Sequence, residues 1–101
     1  MLMNKYNEII VEAINELNQT LDVPVQTEYG IDSAIYGKNG ILDSISLVSL
    51  IVNVEQKVED QFGVSIILAN EKAMSQRNSP FLTIGTLSTY VKTLVEVDAH
   101  E

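Results

Sequence analysis

At 101 residues, with 46% apolar and 20% charged side chains, the chain has the size and composition of one globular domain, 1–101, with a single core. A formal net charge of −8 excludes the basic footprint that nucleic-acid binding needs. The absence of cysteine excludes disulfides, thiolate metal centres and a cysteine nucleophile. The single histidine, His100, stands in the terminal dipeptide, so neither a histidine-based hydrolytic site nor a metal centre is expected.

No apolar run approaches the roughly 20 residues needed to span a bilayer. The N-terminal segment carries Glu8, Glu12 and Glu16, which does not suit a signal peptide. The expectation is a cytoplasmic monomer without stable membrane insertion.

Residues 4–20 read as a first helix. Tyr6, Ile9, Ile10, Ala13, Ile14, Leu17 and Leu21 repeat at three- and four-residue spacing and form one apolar stripe. Pro24 follows a β-branched exit. Residues 21–42 then read as a long connection punctuated by Pro24, Gly30, Gly37 and Gly40. Loops of this length in small domains usually have a task. A first helix of about 16 residues is roughly 24 Å long, so an extended connection could return along it and start the next helix parallel to it. Val23, Val25, Tyr29, Ile31, Ile35 and Tyr36 are the residues expected to pin the loop to the bundle.

Gly40-Ile41-Leu42-Asp43-Ser44-Ile45 reads as a turn leading into a second helix, roughly 44–61. The first N–H groups of a helix lack intrahelical partners, and the macrodipole there favours negative charge. A hydroxyl at that point suits an attached phosphate group. Asp32-Ser33 repeats the dipeptide, but Gly37 and Gly40 stop any helix soon after it. On a wheel of ~100° per residue, Leu47, Ile51, Val54 and Val58 form the buried line of the second helix, with Val48, Leu50 and Phe62 on its flanks. The opposite face holds Ser49, Asn53, Gln56 and Asp60. Ile45 and Val52 stand among those polar residues, two turns apart on nearly one line, as a small apolar docking strip beside Ser44. Gly63 is the expected stop.

Val64 to Leu68 reads as an apolar loop inserted into the core, and Ala69 to Ser75 as a short third helix of one or two turns. The last helix starts near Thr83, a competent N-cap. Ile84, Leu87, Val91, Leu94 and Val95 keep its helical spacing up to about Val97. Residues 98–101 are expected to fray.

With these elements in place, the chain resembles the acyl carrier protein family over nearly its whole length. The features that carry the likeness are Gly40-Ile41-Leu42-Asp43-Ser44-Ile45, the amphipathic helix ending Phe62-Gly63-Val64, and Thr83-Ile84-Gly85-Thr86-Leu87. The resemblance implies an all-α, four-helix bundle with a long loop between helices 1 and 2 and a short third helix. It also implies that Ser44 receives 4′-phosphopantetheine from coenzyme A through a phosphopantetheinyl transferase. The thiol of that arm then holds acyl groups as thioesters for loading and transferring enzymes. Ile45 and Val52 match the family's partner-contacting positions. Asp43 matches its motif aspartate, beside the plainer reading as a helix N-cap.

The second helix departs from the fatty-acid carriers. Ser46, Ser49 and Asn53 replace early acidic positions, and the carboxylates wait until Glu55, Glu59 and Asp60, with Glu55 expected at the rim of the docking surface. The stretch from Ser44 to Phe62 is about one turn longer. Gly-Ile-Leu-Asp-Ser is similar to specialised free-standing carriers, including D-alanyl carriers. The expected function is therefore a non-catalytic carrier in fatty-acid, polyketide or related specialised biosynthesis. The alternatives are an aminoacyl carrier and a helical adaptor subunit whose serine is only a cap.

Overall fold

A computed structural model describes residues 5–37, 40–68 and 80–99, with side-chain environments up to residue 96. Three α-helices stand among the described residues: α1 (Lys5–Asn18), α2 (Ser44–Phe62) and α3 (Ile84–Ala99). A 3-10 turn, Gly30–Asp32, interrupts the connection between α1 and α2. The only β pairing among these residues is an isolated antiparallel bridge between Ala34 and Thr83. The regular structure among the described residues is thus all helical. The short helix expected over 69–75 lies outside the described residues.

α1 packs against both α2 and α3, which follows from its apolar stripe: Ile9, Ile10, Ala13 and Ile14 are all buried. α2 contributes the expected line of Leu47, Ile51, Val54 and Val58, together with Leu50. α3 contributes Ile84, Leu87, Val91 and Val95, and Phe81 joins them from just before its start. Burying each such side chain is worth roughly 1.5–3 kcal/mol, so this one cluster supplies the main stabilisation. The core also takes in Ile66 and Leu68, as the apolar loop after α2 was expected to do, while Ile67 between them faces solvent. The Leu68 N–H donates to Glu55 Oε2 at 2.7 Å.

The relative direction of α1 and α2 differs from the parallel arrangement expected. Glu16 meets Asn53 and Lys57, Glu12 meets Lys57, and Tyr6 stacks on Phe62 with ring centroids 5.4 Å apart. Residue numbers fall along α1 as they rise along α2, so the two helices run antiparallel. The long connection does not travel back along α1. It winds at the end where α1 finishes, because its backbone groups find partners there. The Asn18 side chain donates to the Val25 carbonyl at 3.0 Å and accepts the Val25 N–H at 2.8 Å. This clamp bends the chain straight after α1.

Farther along, Ile35 joins the two later helix starts. Its N–H donates to the Leu82 carbonyl at 2.7 Å, and its carbonyl accepts the Leu42 N–H at 3.2 Å. The turn that allows this needs Gly40, where a Cβ would overlap the backbone of Ile35 and Tyr36. Val25 and Ile35 are buried and Tyr36 is half-buried, as pinning residues should be. Val23, Tyr29 and Ile31 are exposed instead, because the loop lies over one end of the bundle and has a free outer side.

Candidate functional site around Ser44

α2 begins where the sequence pattern places it. Asp43 is extended at φ −83°, ψ 176°, and its carboxylate accepts the Ser46 N–H at 2.7 Å. The Asp43 carbonyl accepts the Leu47 N–H at 2.9 Å and opens the helical ladder. This is N-cap geometry, in which a side chain satisfies one of the donors that a helix leaves over. The Ser46 N–H, followed by the Ser46 hydroxyl, holds the Asp43 carboxyl below its ordinary range.

Ser44 is the first residue of α2 and is exposed. Its hydroxyl therefore stands in solvent at the positive end of a 19-residue helix. The other Asp-Ser pair has the opposite fate. Ser33 is fully buried, with its N–H donated to Gly30 and its carbonyl accepting from Ile84. One dipeptide presents a hydroxyl and the other locks a loop.

Next to Ser44 the outer face of α2 is apolar. Ile45 is 79% exposed, Val52 47% and Val48 45%. The spacing of three, then four, sets these side chains on one line over two turns. Val48 belongs to this exposed line, not to the flank of the buried one. α1 covers only one side of α2, and the wheel sets Val48 about 60° from Ile45. Its spacing to both Ile45 and Val52 was the signal in the sequence. Farther down the face, Gln56, Glu59 and Asp60 line a shallow polar depression. Glu55 is half-buried and engaged with the Leu68 N–H, which gives its carboxylate a structural task between α2 and the segment after it.

Sequence reasoning missed a cleft of about 360 Å³ on the loop side of the same helix end. Val23, Pro24, Tyr29, Ala34 and Ile41 supply its apolar walls, and Gln26 and Asp32 its polar ones. Ile41 stands only three residues before Ser44. The one available signal was three exposed-type apolar residues, Val23, Tyr29 and Ile41, in a polar loop.

Comparison with family models, curated proteins and solved structures returns no match. Function therefore rests on the residues themselves. Among the described residues, no three His, Asp or Glu side chains converge as a metal site, and no helix is long and apolar enough to cross a membrane. What the Ser44 end offers is an accessible hydroxyl in a field that favours an attached phosphate. Beside it lies an aliphatic strip open to a partner. The exposed Ser44 side chain leaves room for a phosphate-linked group, and Asp43 fixes the turn at which it stands.

Proposed function

We propose that this chain is an acyl carrier, with Ser44 as the point at which a 4′-phosphopantetheine arm is attached. The observation that carries the reading is the exposed Ser44 hydroxyl at the first residue of α2, with Ile45, Val48 and Val52 exposed on the adjoining face. The Gly40–Ile45 motif and its likeness to the acyl carrier family support the same reading. When attached, the arm supplies a thiol that bears acyl groups as thioesters, chemistry that a chain without cysteine cannot supply alone.

The protein's own residues then have positioning roles. Asp43 caps α2 and keeps Ser44 at the helix start. Ile45, Val48 and Val52 give a transferase or an acyl-processing enzyme a small apolar patch to close over. Glu59 and Asp60 add negative charge farther along that face, where charge mainly tunes the rate of encounter. A strip this small favours weak, quickly reversed docking, which suits a carrier that must pass between enzymes. Ser44 is a tether and takes no part in later chemistry.

Co-expression with a phosphopantetheinyl transferase, followed by intact-mass measurement, tests the reading. The wild-type chain should gain the mass of one phosphopantetheine, and Ser44→Ala should gain none. No gain in the wild type, or a gain in Ser44→Ala, removes the proposal. The docking strip has its own test in Ile45→Asp and Val52→Asp. Each should lower the transferase's kcat/KM about tenfold, the scale of one interface contact worth roughly 1.4 kcal/mol, while helical circular dichroism stays unchanged. Unaltered rates for both variants would mean that partners dock elsewhere.

A further inference from the structure

The cleft beside Ser44 is not needed to explain attachment or docking, yet it has the make-up of a binding site. Its volume of about 360 Å³ falls at the small end of the ligand-pocket range, roughly 300–1,000 Å³. Val23 and Tyr29, 66% and 64% exposed, and Ile41, 48% exposed, leave apolar surface uncovered on its walls. Gln26 and Asp32 stand among them as the polar groups. Such a mixture suits a short acyl group that carries one polar substituent.

Charge narrows that substituent. Asp32 is the one ionisable carboxylate on the wall. Residues 21–37 carry Asp22, Glu28 and Asp32 and no lysine or arginine; Lys38 lies outside the described residues. Within the cleft the near carboxylate, Asp32, favours a cation, because the dipole field of α2 falls off within its first turn. Position narrows the occupant further. Ile41 and Ser44 are three residues apart, at most ~11 Å along an extended chain. An open cleft of this size holds a free small molecule weakly. A group tethered at Ser44 is present at an effective concentration on the order of millimolar, enough to fill a weak site.

We infer that this cleft seats the acyl end of the group borne on Ser44, and that Asp32 selects cargo with an ammonium group, that is, a small aminoacyl group. The inference rests on the carrier reading above and deepens it by naming the cargo class. Val23, Tyr29 and Ile41 take the side-chain carbons, and Asp32 faces the ammonium. An exposed ion pair of this kind shifts occupancy about two- to fivefold and weakens as salt is added.

The test compares two arms of the same shape, attached to Ser44 by the transferase from the corresponding coenzyme A analogues. One ends in alanyl and the other in isobutyryl, both through a hydrolysis-resistant amide. Amide shifts in ¹⁵N-labelled protein are the readout, with intact mass confirming attachment. The alanyl arm should move the Gln26, Tyr29, Asp32 and Ile41 signals more than the isobutyryl arm does. Asp32→Asn should erase the difference, and added salt should narrow it. Equal shifts for the two arms, shifts confined to 43–52, or a difference that survives Asp32→Asn would overturn the inference and leave the carrier reading standing. Absence of any attached mass would overturn both.

Discussion

The two helix starts at the loop end share a capping chemistry and differ in everything that follows it. Asp43 accepts the N–H of Ser46, three residues on, at 2.7 Å. Thr83 Oγ1 likewise accepts the N–H of Thr86 at 3.1 Å, and Thr86 Oγ1 returns the favour by accepting the Thr83 N–H at 3.0 Å. Both caps satisfy donors that the helix leaves over. The first two helical residues then diverge. α2 opens with Ser44 and Ile45, both exposed. α3 opens with Ile84, fully buried, and Gly85, packed against the Ile31 carbonyl. A cap alone therefore does not mark a functional helix start. Exposure of the residues just inside it does, because only an uncovered side chain can be modified or docked upon.

Position-matched substitutions should separate the two starts, and the widest separation is at the first helical residue. Ile84→Ala should cost about 2–5 kcal/mol, the usual range for truncating a buried aliphatic side chain. Ser44→Ala should stay within about 0.5 kcal/mol, as surface changes do. Urea melts of both variants measure the gap. Comparable losses would mean that Ser44 carries weight in the fold and is not a free presentation point.

The next effect in size is at the second residue of α3. Alanine in place of glycine usually stabilises a helix, by about 1 kcal/mol, but a Cβ on Gly85 would lie 2.9 Å from the Ile31 carbonyl oxygen. Backbone cannot swing aside as a side-chain tip can, and overpacking of this sort costs ~1–3 kcal/mol. The expected net result for Gly85→Ala is a loss of about 1 kcal/mol, the balance of these two effects. A gain would show that the 3-10 turn yields, and that α3 is seated less firmly than its burial implies.

Much of this architecture was legible in the sequence, for a physical reason. α1, α2 and α3 each bury one stripe, and a stripe at helical spacing is visible in the order of residues alone. The exposure of Ile45 and Val52 follows from the same wheel, and the Asp43 cap from an acidic residue standing just before the stripe begins. The antiparallel pairing of α1 and α2 was not legible, since loop length bounds where a chain can go but not where it does go. That choice was made by hydrogen bonds between distant residues, Asn18 with Val25 and Ile35 with both Leu42 and Leu82. Val48 was misread for a related reason. A wheel gives angles, and only the partner helix decides how wide the covered arc is. The cleft depends on three loop segments meeting, which no local pattern encodes.

The smallest effect lies in the cap of α2 and sharpens the contrast through pH. The Ser46 N–H, then the Ser46 hydroxyl, favour the ionised Asp43, so its folded pKa lies below the unfolded value of about 3.9. A depressed carboxyl stabilises the fold above the unfolded pKa, and that stabilisation is lost as pH falls through the folded one. Thr83, the corresponding cap of α3, has no such proton to gain. Asp43→Asn keeps a competent cap but removes the titration. Its melting temperature should match the wild type near neutrality and fall less steeply below about pH 4. The readout is the difference between the two melting curves, because every other carboxylate titrates in both. Attachment of a phosphodiester to Ser44 should shrink that difference, since a negative charge beside Asp43 raises its pKa toward the unfolded value. An undiminished difference in the modified protein would place the attached phosphate away from the helix start.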